Sequence, residues 1–247
     1  MNKLYGIVIS SIAGLSTLVG YLFIYIKGDK NKIISKSLSF AGGAMITLSI
    51  IDLIPSGLNN LLLLNNCKVS ILIGLLCFFV GFFTSHILTK LLKEEDNKLY
   101  KTGLITMLGI MLHNIPEGIA TFVLSTIDLK LGILLSVAII LHNIPEGISI
   151  GIPIYYSTKS KFKAFIYTLV SAISEPFGGL IAWVFLYKYI NTNIIGILYS
   201  LIAGLMIYIG YFELIKTSVQ YKDKKNTLLY LLIGTFFIII VEILLKV

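Results

Sequence analysis

The stretch His113-Asn114-Ile115-Pro116-Glu117-Gly118-Ile119 recurs letter for letter at His142-Asn143-Ile144-Pro145-Glu146-Gly147-Ile148, and each copy lies inside a long apolar run. Only a few polar residues around Thr126, Asp128 and Lys130 separate the two runs, so they form an antiparallel hairpin of helices. His113 and His142 are equidistant from the midpoint of that connection, between Ile127 and Asp128. At 1.5 Å per residue both stand about 20 Å from the hairpin apex, at one level near the middle of a bilayer. Within each copy, His and Glu are four residues apart and share a helix face, with Asn one residue past the His. An ionisable group at that depth costs about 3 kcal/mol on insertion scales and marks a functional site by default.

Working outward, the composition fixes the class. With 57% hydrophobic and 13% charged residues in 247 and a mean hydropathy of +0.93, the chain is an integral membrane protein. Apolar stretches long enough to cross a roughly 30 Å core fall near 4–26, 38–64, 69–89, 102–125, 131–154, 163–186, 194–215 and 227–245. That makes an all-α bundle of eight transmembrane helices, one polytopic domain over 1–247. The first run is too long for the apolar part of a cleaved signal and no small-residue cleavage site follows it, so it counts as the first span.

The net charge of +8 could suggest nucleic acid, but all 20 basic residues are Lys and alternate loops take them. Lys27, Lys30, Lys32 and Lys36 follow the first span, Lys90, Lys93, Lys98 and Lys101 the third. Lys159, Lys161 and Lys163 follow the fifth, and Lys216, Lys222, Lys224 and Lys225 the seventh. The opposite side has Lys3, Lys68, Lys130, Lys188 and Lys246. The pattern excludes a nucleic-acid partner in favour of the lipid bilayer, and the positive-inside rule puts both termini on the extracytoplasmic side of the cell membrane. Glu94-Glu95-Asp96 reads as a solvated loop. Cys67 and Cys77 lie about 15 Å apart along one helix, too far for a disulfide.

The repeat carries metal-ligand chemistry. Pro116 and Pro145 each remove a backbone donor and should kink their helices beside the ligands, while Gly118 and Gly147 permit close helix approach at the same level. The sixth span adds Ser174-Glu175-Pro176 with Gly178 and Gly179, a third acid beside a third proline. Imidazole with carboxylate suits borderline divalent ions such as Zn2+ and Fe2+ better than Mg2+ or Ca2+. Packed, hydrogen-bonded polar residues would explain one copy, but two copies with Glu175 point to a metal site.

These motifs resemble the ZIP (Zrt/Irt-like) family of divalent-metal transporters, in its bacterial ZupT/GufA-like branch, over the whole chain. The resemblance implies a 3+2+3 arrangement, with spans 1–3 and 6–8 forming an inverted repeat around the central pair, and a site that holds up to two ions. It implies His113, Glu117, His142 and Glu146 around one metal with Met45 as a soft neighbour. Asn114, Glu117, Asn143, Glu146 and Glu175 would hold a second metal, the two Glu bridging. It also implies homodimers as one form of the protein. The chain itself carries a trace of the inverted repeat. Gly43-Ala44-Met45-Ile46 with Asp52 seven residues after the Met aligns with Gly204-Leu205-Met206-Ile207 and Glu213 at the same interval. Inverted repeats around a midplane site are a common build of secondary transporters.

Asp52 is either a cation-attracting entrance or an interfacial residue before Pro55. Glu213 and His86, near the lysine-rich ends of their spans, are candidates for an exit site, against a snorkelling or hydrogen-bonded interfacial histidine at 86. The expected function is import of divalent metal toward the cytoplasm, Zn2+ first, with Fe2+, Mn2+ and Co2+ as alternatives. The metal is then the transported substrate, and no resident cofactor is called for. An intramembrane metalloprotease is the rival from another class; it lacks H-E-x-x-H and a spare general base. A receptor that binds metal without moving it is the third reading.

Overall fold

The computed structural model describes residues 2–92, 97–186, 191–221 and 224–245. The acidic loop Glu94-Glu95-Asp96 and the lysines at 93, 188, 222 and 246 lie outside the described residues, as do the side chains of Lys224 and Lys225. The described residues are all-α, and eight helices are long and apolar enough to cross a membrane. They are α1 (Lys3–Tyr25), α2 (Lys30–Leu62), α3 (Cys67–Leu91), α4 (Lys98–Ile127), α5 (Leu129–Thr158), α6 (Lys161–Phe185), α7 (Thr192–Val219) and α8 (Asn226–Leu245). The protein is therefore a multi-pass membrane protein, with the eight spans expected from hydropathy.

Helix starts follow local capping chemistry. The side chains of Asp29, Asn66, Asn97, Asp128, Ser160 and Asn191 each accept a backbone N–H from the first turn of the next helix, satisfying one of the orphan donors there. Asp29 explains why α2 begins at Lys30 rather than near residue 38. The cap starts the helix before the apolar run does, and the added turns carry lysines out of the membrane. Asp128 alone joins α4 to α5: its extended backbone ends one helix, and its Oδ1 accepts from Lys130 and Leu131 to start the other. The hairpin turns on the residue beside the midpoint of the repeat.

α4 and α5 remain α-helical through Pro116 and Pro145. Departures from α geometry lie in α1, as a 3-10 turn at Leu22–Tyr25, and in α2, α6 and α7, as π-helical turns at Ser49–Leu53, Ala182–Leu186 and Ile209–Ile215.

α4 packs against α5, α6 and α1, and α5 against α1, α2 and α6, so these helices enclose the centre. α2 and α7 pack on each other beside it, α3 covers α7, and α8 covers α2. Only 17% of the most apolar stretch of α3 and of α8 is buried, against 56% in α4 and α5. The outer pair is largely exposed and the inner pair carries the polar groups.

Candidate metal centre

α4 and α5 bring the two sequence copies to one level. The rings of His113 and His142 lie with centroids 6.4 Å apart. Glu117 Oε1 stands 3.1 Å from His113 Nε2 and 3.2 Å from His142 Nε2, and Glu146 Oε1 stands 3.2 Å from His113 Nε2. His113, His142 and Glu146 offer ligand atoms all within 4.8 Å of one another. Each of these side chains is buried.

Each asparagine is oriented by a backbone carbonyl, which can only accept. Asn114 Nδ2 donates to the Ser171 carbonyl at 3.3 Å, and Asn143 Nδ2 donates to the Ala13 carbonyl at 3.0 Å and to Glu175 Oε2 at 3.1 Å. With the amide nitrogens so engaged, Oδ1 of each is the atom left to face the site. Glu175, on α6, is thereby tied to the α5 ligands through Asn143.

All seven residues keep at least one buried nitrogen or oxygen with no hydrogen-bond partner: His113 Nδ1 and Nε2, Asn114 Oδ1, Glu117 Oε2, His142 Nε2, Asn143 Oδ1, both oxygens of Glu146, and Glu175 Oε1. The His–Glu contacts at 3.1–3.2 Å bring imidazole nitrogens and carboxylate oxygens together in one buried cluster. Leaving a buried polar group unpaired costs about 1–3 kcal/mol. Such a concentration of oxygen and imidazole lone pairs in one buried cluster suits a divalent cation, whose charge would repay that cost.

Two relations were not legible in the sequence. The Ala13 and Ser171 carbonyls position the amides, yet a backbone carbonyl leaves no side-chain signature. Gly118 and Gly147 do allow close approach, but to other helices than each other. A Cβ at Gly118 would strike the Glu175 carbonyl of α6, and one at Gly147 the Thr17 carbonyl of α1.

A profile of the ZIP zinc transporter family matches residues 92–242. The chain is 36% identical to the zinc transporter ZupT of Streptococcus mutans, covering 96% of each chain. It is 33% identical to ZupT of Clostridium perfringens over 94% of this chain and 93% of that one. It is 35% identical to ZupT of Campylobacter jejuni over 90% and 89%. The chain belongs to the ZIP zinc transporter family.

The remaining candidates take different positions in this ZIP chain. Met45 is buried and lines a crevice with His142, Pro145 and Glu146, beside the centre. Asp52 lies in the π turn of α2, away from the cluster, and accepts from Ser56 Oγ at 2.9 Å. Tyr199 of α7, not singled out in the sequence, lines a crevice with Pro116, Ile119 and Ala120 of α4. His86 and Glu213 are not joined: His86 Nδ1 pairs with the Tyr208 hydroxyl at 3.2 Å, while Glu213 Oε1 accepts from Thr89 Oγ1 at 2.9 Å. Among the described residues, Asp52, His86 and Glu213 stand outside the His113–His142–Glu146 grouping.

Proposed function

We propose that the protein imports divalent transition-metal ions, Zn2+ foremost, across the cell membrane toward the cytoplasm. His113, Asn114, Glu117, His142, Asn143, Glu146 and Glu175 would form the midplane site. The observation that carries this reading is the set of seven buried side chains, each with a ligand atom that no protein group satisfies. The relatives' name, zinc transporter, supports Zn2+ as the first substrate, and imidazole with carboxylate oxygen is a Zn2+ donor set. Fe2+, Mn2+ and Co2+ suit the same donors, and affinity order alone does not select among them.

Two overlapping shells fit the donors. His113, His142, Glu117 and Glu146 would surround one ion, with Met45 alongside. Asn114, Asn143, Glu175 and the second oxygens of Glu117 and Glu146 would surround the other. The 3+2+3 arrangement belongs to the same proposal, and helix packing supports it. Exchanging α1 with α6, α2 with α7, α3 with α8 and α4 with α5 turns every principal packed pair into another packed pair.

An intramembrane hydrolase would need a general base besides the ligands, and here the glutamates are themselves ligands. Metal flux separates the readings. Full-length protein in sealed vesicles should carry 65Zn2+ down its gradient at a rate well above empty vesicles, and Glu146→Ala should reduce flux to that background. Binding without flux would leave a metal receptor and overturn the transport reading.

A further inference from the structure

A cavity of about 530 Å³ lies apart from the metal centre, where the lysine-rich ends of α1, α2 and α8 meet α5. Its volume is in the range of small-molecule sites. Its walls change character along the membrane normal. Lys27, Lys32 and Lys36 stand at the mouth with Asp29, while Phe40, Ile144, Ile148, Ile233 and Phe237 line the interior. From Lys32 to Phe40 the α2 wall runs about 12 Å at 1.5 Å per residue, reaching from the interface into the hydrocarbon core.

The mouth is cationic. Asp29 is the sole acid among the lining residues, and its Oδ1 already accepts the Lys32 backbone N–H at 2.9 Å. Lys36 Nζ is held over the Tyr230 ring, 5.0 Å from its centroid, with Tyr230 itself part of the lining. The cavity opens sideways toward lipid between Phe23 and Ile26 of the α1 end and Ile233 of α8, all of which are exposed. An occupant must therefore be amphipathic, with an anionic head level with the lysines and a chain inside the bilayer. Metal ions find no donors on the apolar walls.

We propose that this cavity binds an anionic phospholipid of the phosphatidylglycerol type, its phosphodiester beside Lys27, Lys32 and Lys36 and an acyl chain against Phe40, Ile144, Ile233 and Phe237. Juxtamembrane lysines attract anionic lipid in this way, and their long stems reach the headgroup level. Ile144 directly precedes Pro145 and Glu146, so the acyl chain would pack beside the α5 segment that carries a candidate metal ligand. The assignment does not depend on the transport reading.

The test uses tryptophan fluorescence. Trp183, the single tryptophan, is replaced by Phe, and Phe237→Trp places a reporter on the cavity wall, with Ile233→Trp as a second reporter should the first disturb folding. The full chain is reconstituted in phosphatidylcholine vesicles containing increasing fractions of phosphatidylglycerol brominated on its acyl chains, or of equally brominated phosphatidylcholine. Half-maximal quenching should need a roughly thirtyfold lower fraction of the anionic lipid, the size expected for about two net positive charges at the membrane surface. Lys27→Gln/Lys32→Gln/Lys36→Gln should erase that preference, and Lys159→Gln/Lys161→Gln/Lys163→Gln should keep it. Equal quenching by both lipids, a preference that survives the first triple substitution, or its equal loss in both triples would overturn the proposal.

Discussion

Asn114 and Asn143 differ from the glutamates in what holds them. Each amide is fixed by a backbone carbonyl, from Ser171 and Ala13 respectively, whereas Glu117 Oε1 touches both imidazoles and neither Glu146 oxygen has a hydrogen-bond partner. An asparagine therefore offers one neutral oxygen, while a glutamate offers negative charge and two oxygens. Glu117→Ala or Glu146→Ala should abolish zinc uptake in vesicles at matched protein density, down to the empty-vesicle rate. Asn114→Ala or Asn143→Ala should weaken apparent affinity on the order of tenfold, as loss of a subsidiary ligand does, and leave measurable flux. Wild-type uptake by either glutamate variant would remove these residues from the site. These seven side chains were legible as candidates because ionisable and amide groups at bilayer depth are costly and therefore conspicuous. Which amide atom is left without a partner was not legible, since that is decided by carbonyls that every residue possesses.

At the scale of helices, the centre is clamped by glycine contacts. Gly118 abuts the Glu175 carbonyl and Gly178 the Ile115 carbonyl, locking α4 to α6; Gly147 abuts Thr17 and Gly20 abuts Ile144, locking α5 to α1. Close approach through small residues is the usual way membrane helices gain packing energy. Gly147→Ala should push α1 from α5 and destabilise the protein by about 1–3 kcal/mol, the range for overpacking. Gly151→Ala, one turn along the same helix, meets nothing nearer than Tyr21 Cα at 3.3 Å and should lower Tm far less. Thermal unfolding of the two variants in one detergent checks the contrast, and equal Tm losses would refute the clamp. Helix number and the equal depth of the histidines were legible, because hydropathy and residue counting from Asp128 report them. The π turns in α2, α6 and α7 were not, since a local change of hydrogen-bond register leaves composition and hydropathy unchanged.

For the whole molecule, the two π turns that contain Asp52 and Glu213 follow Met45 and Met206 in α2 and α7, the helices whose sequences already align as an inverted pair. Their mutual orientation is marked by one contact: Asn65, just past the end of α2, donates to Asn193, at the start of α7, at 2.8 Å. The end of one helix and the beginning of the other therefore share a membrane face, and the lysine-rich ends of both share the opposite face. By the positive-inside rule that second face is expected to be the cytoplasmic one. In a Cys77→Ser background, the exposed native Cys67 should react with a membrane-impermeant maleimide added outside intact cells. Asn31→Cys and Gln220→Cys, each in a chain also lacking Cys67, should react only in inside-out vesicles; both positions are exposed. Labelling of Asn31→Cys and Cys67 from one side would break α2 as a single span. Labelling of Asn31→Cys and Gln220→Cys from opposite sides would break the inverted relation of α2 to α7. A full reversal of all three would keep the fold and overturn the assignment of the lysine-rich face to the cytoplasm.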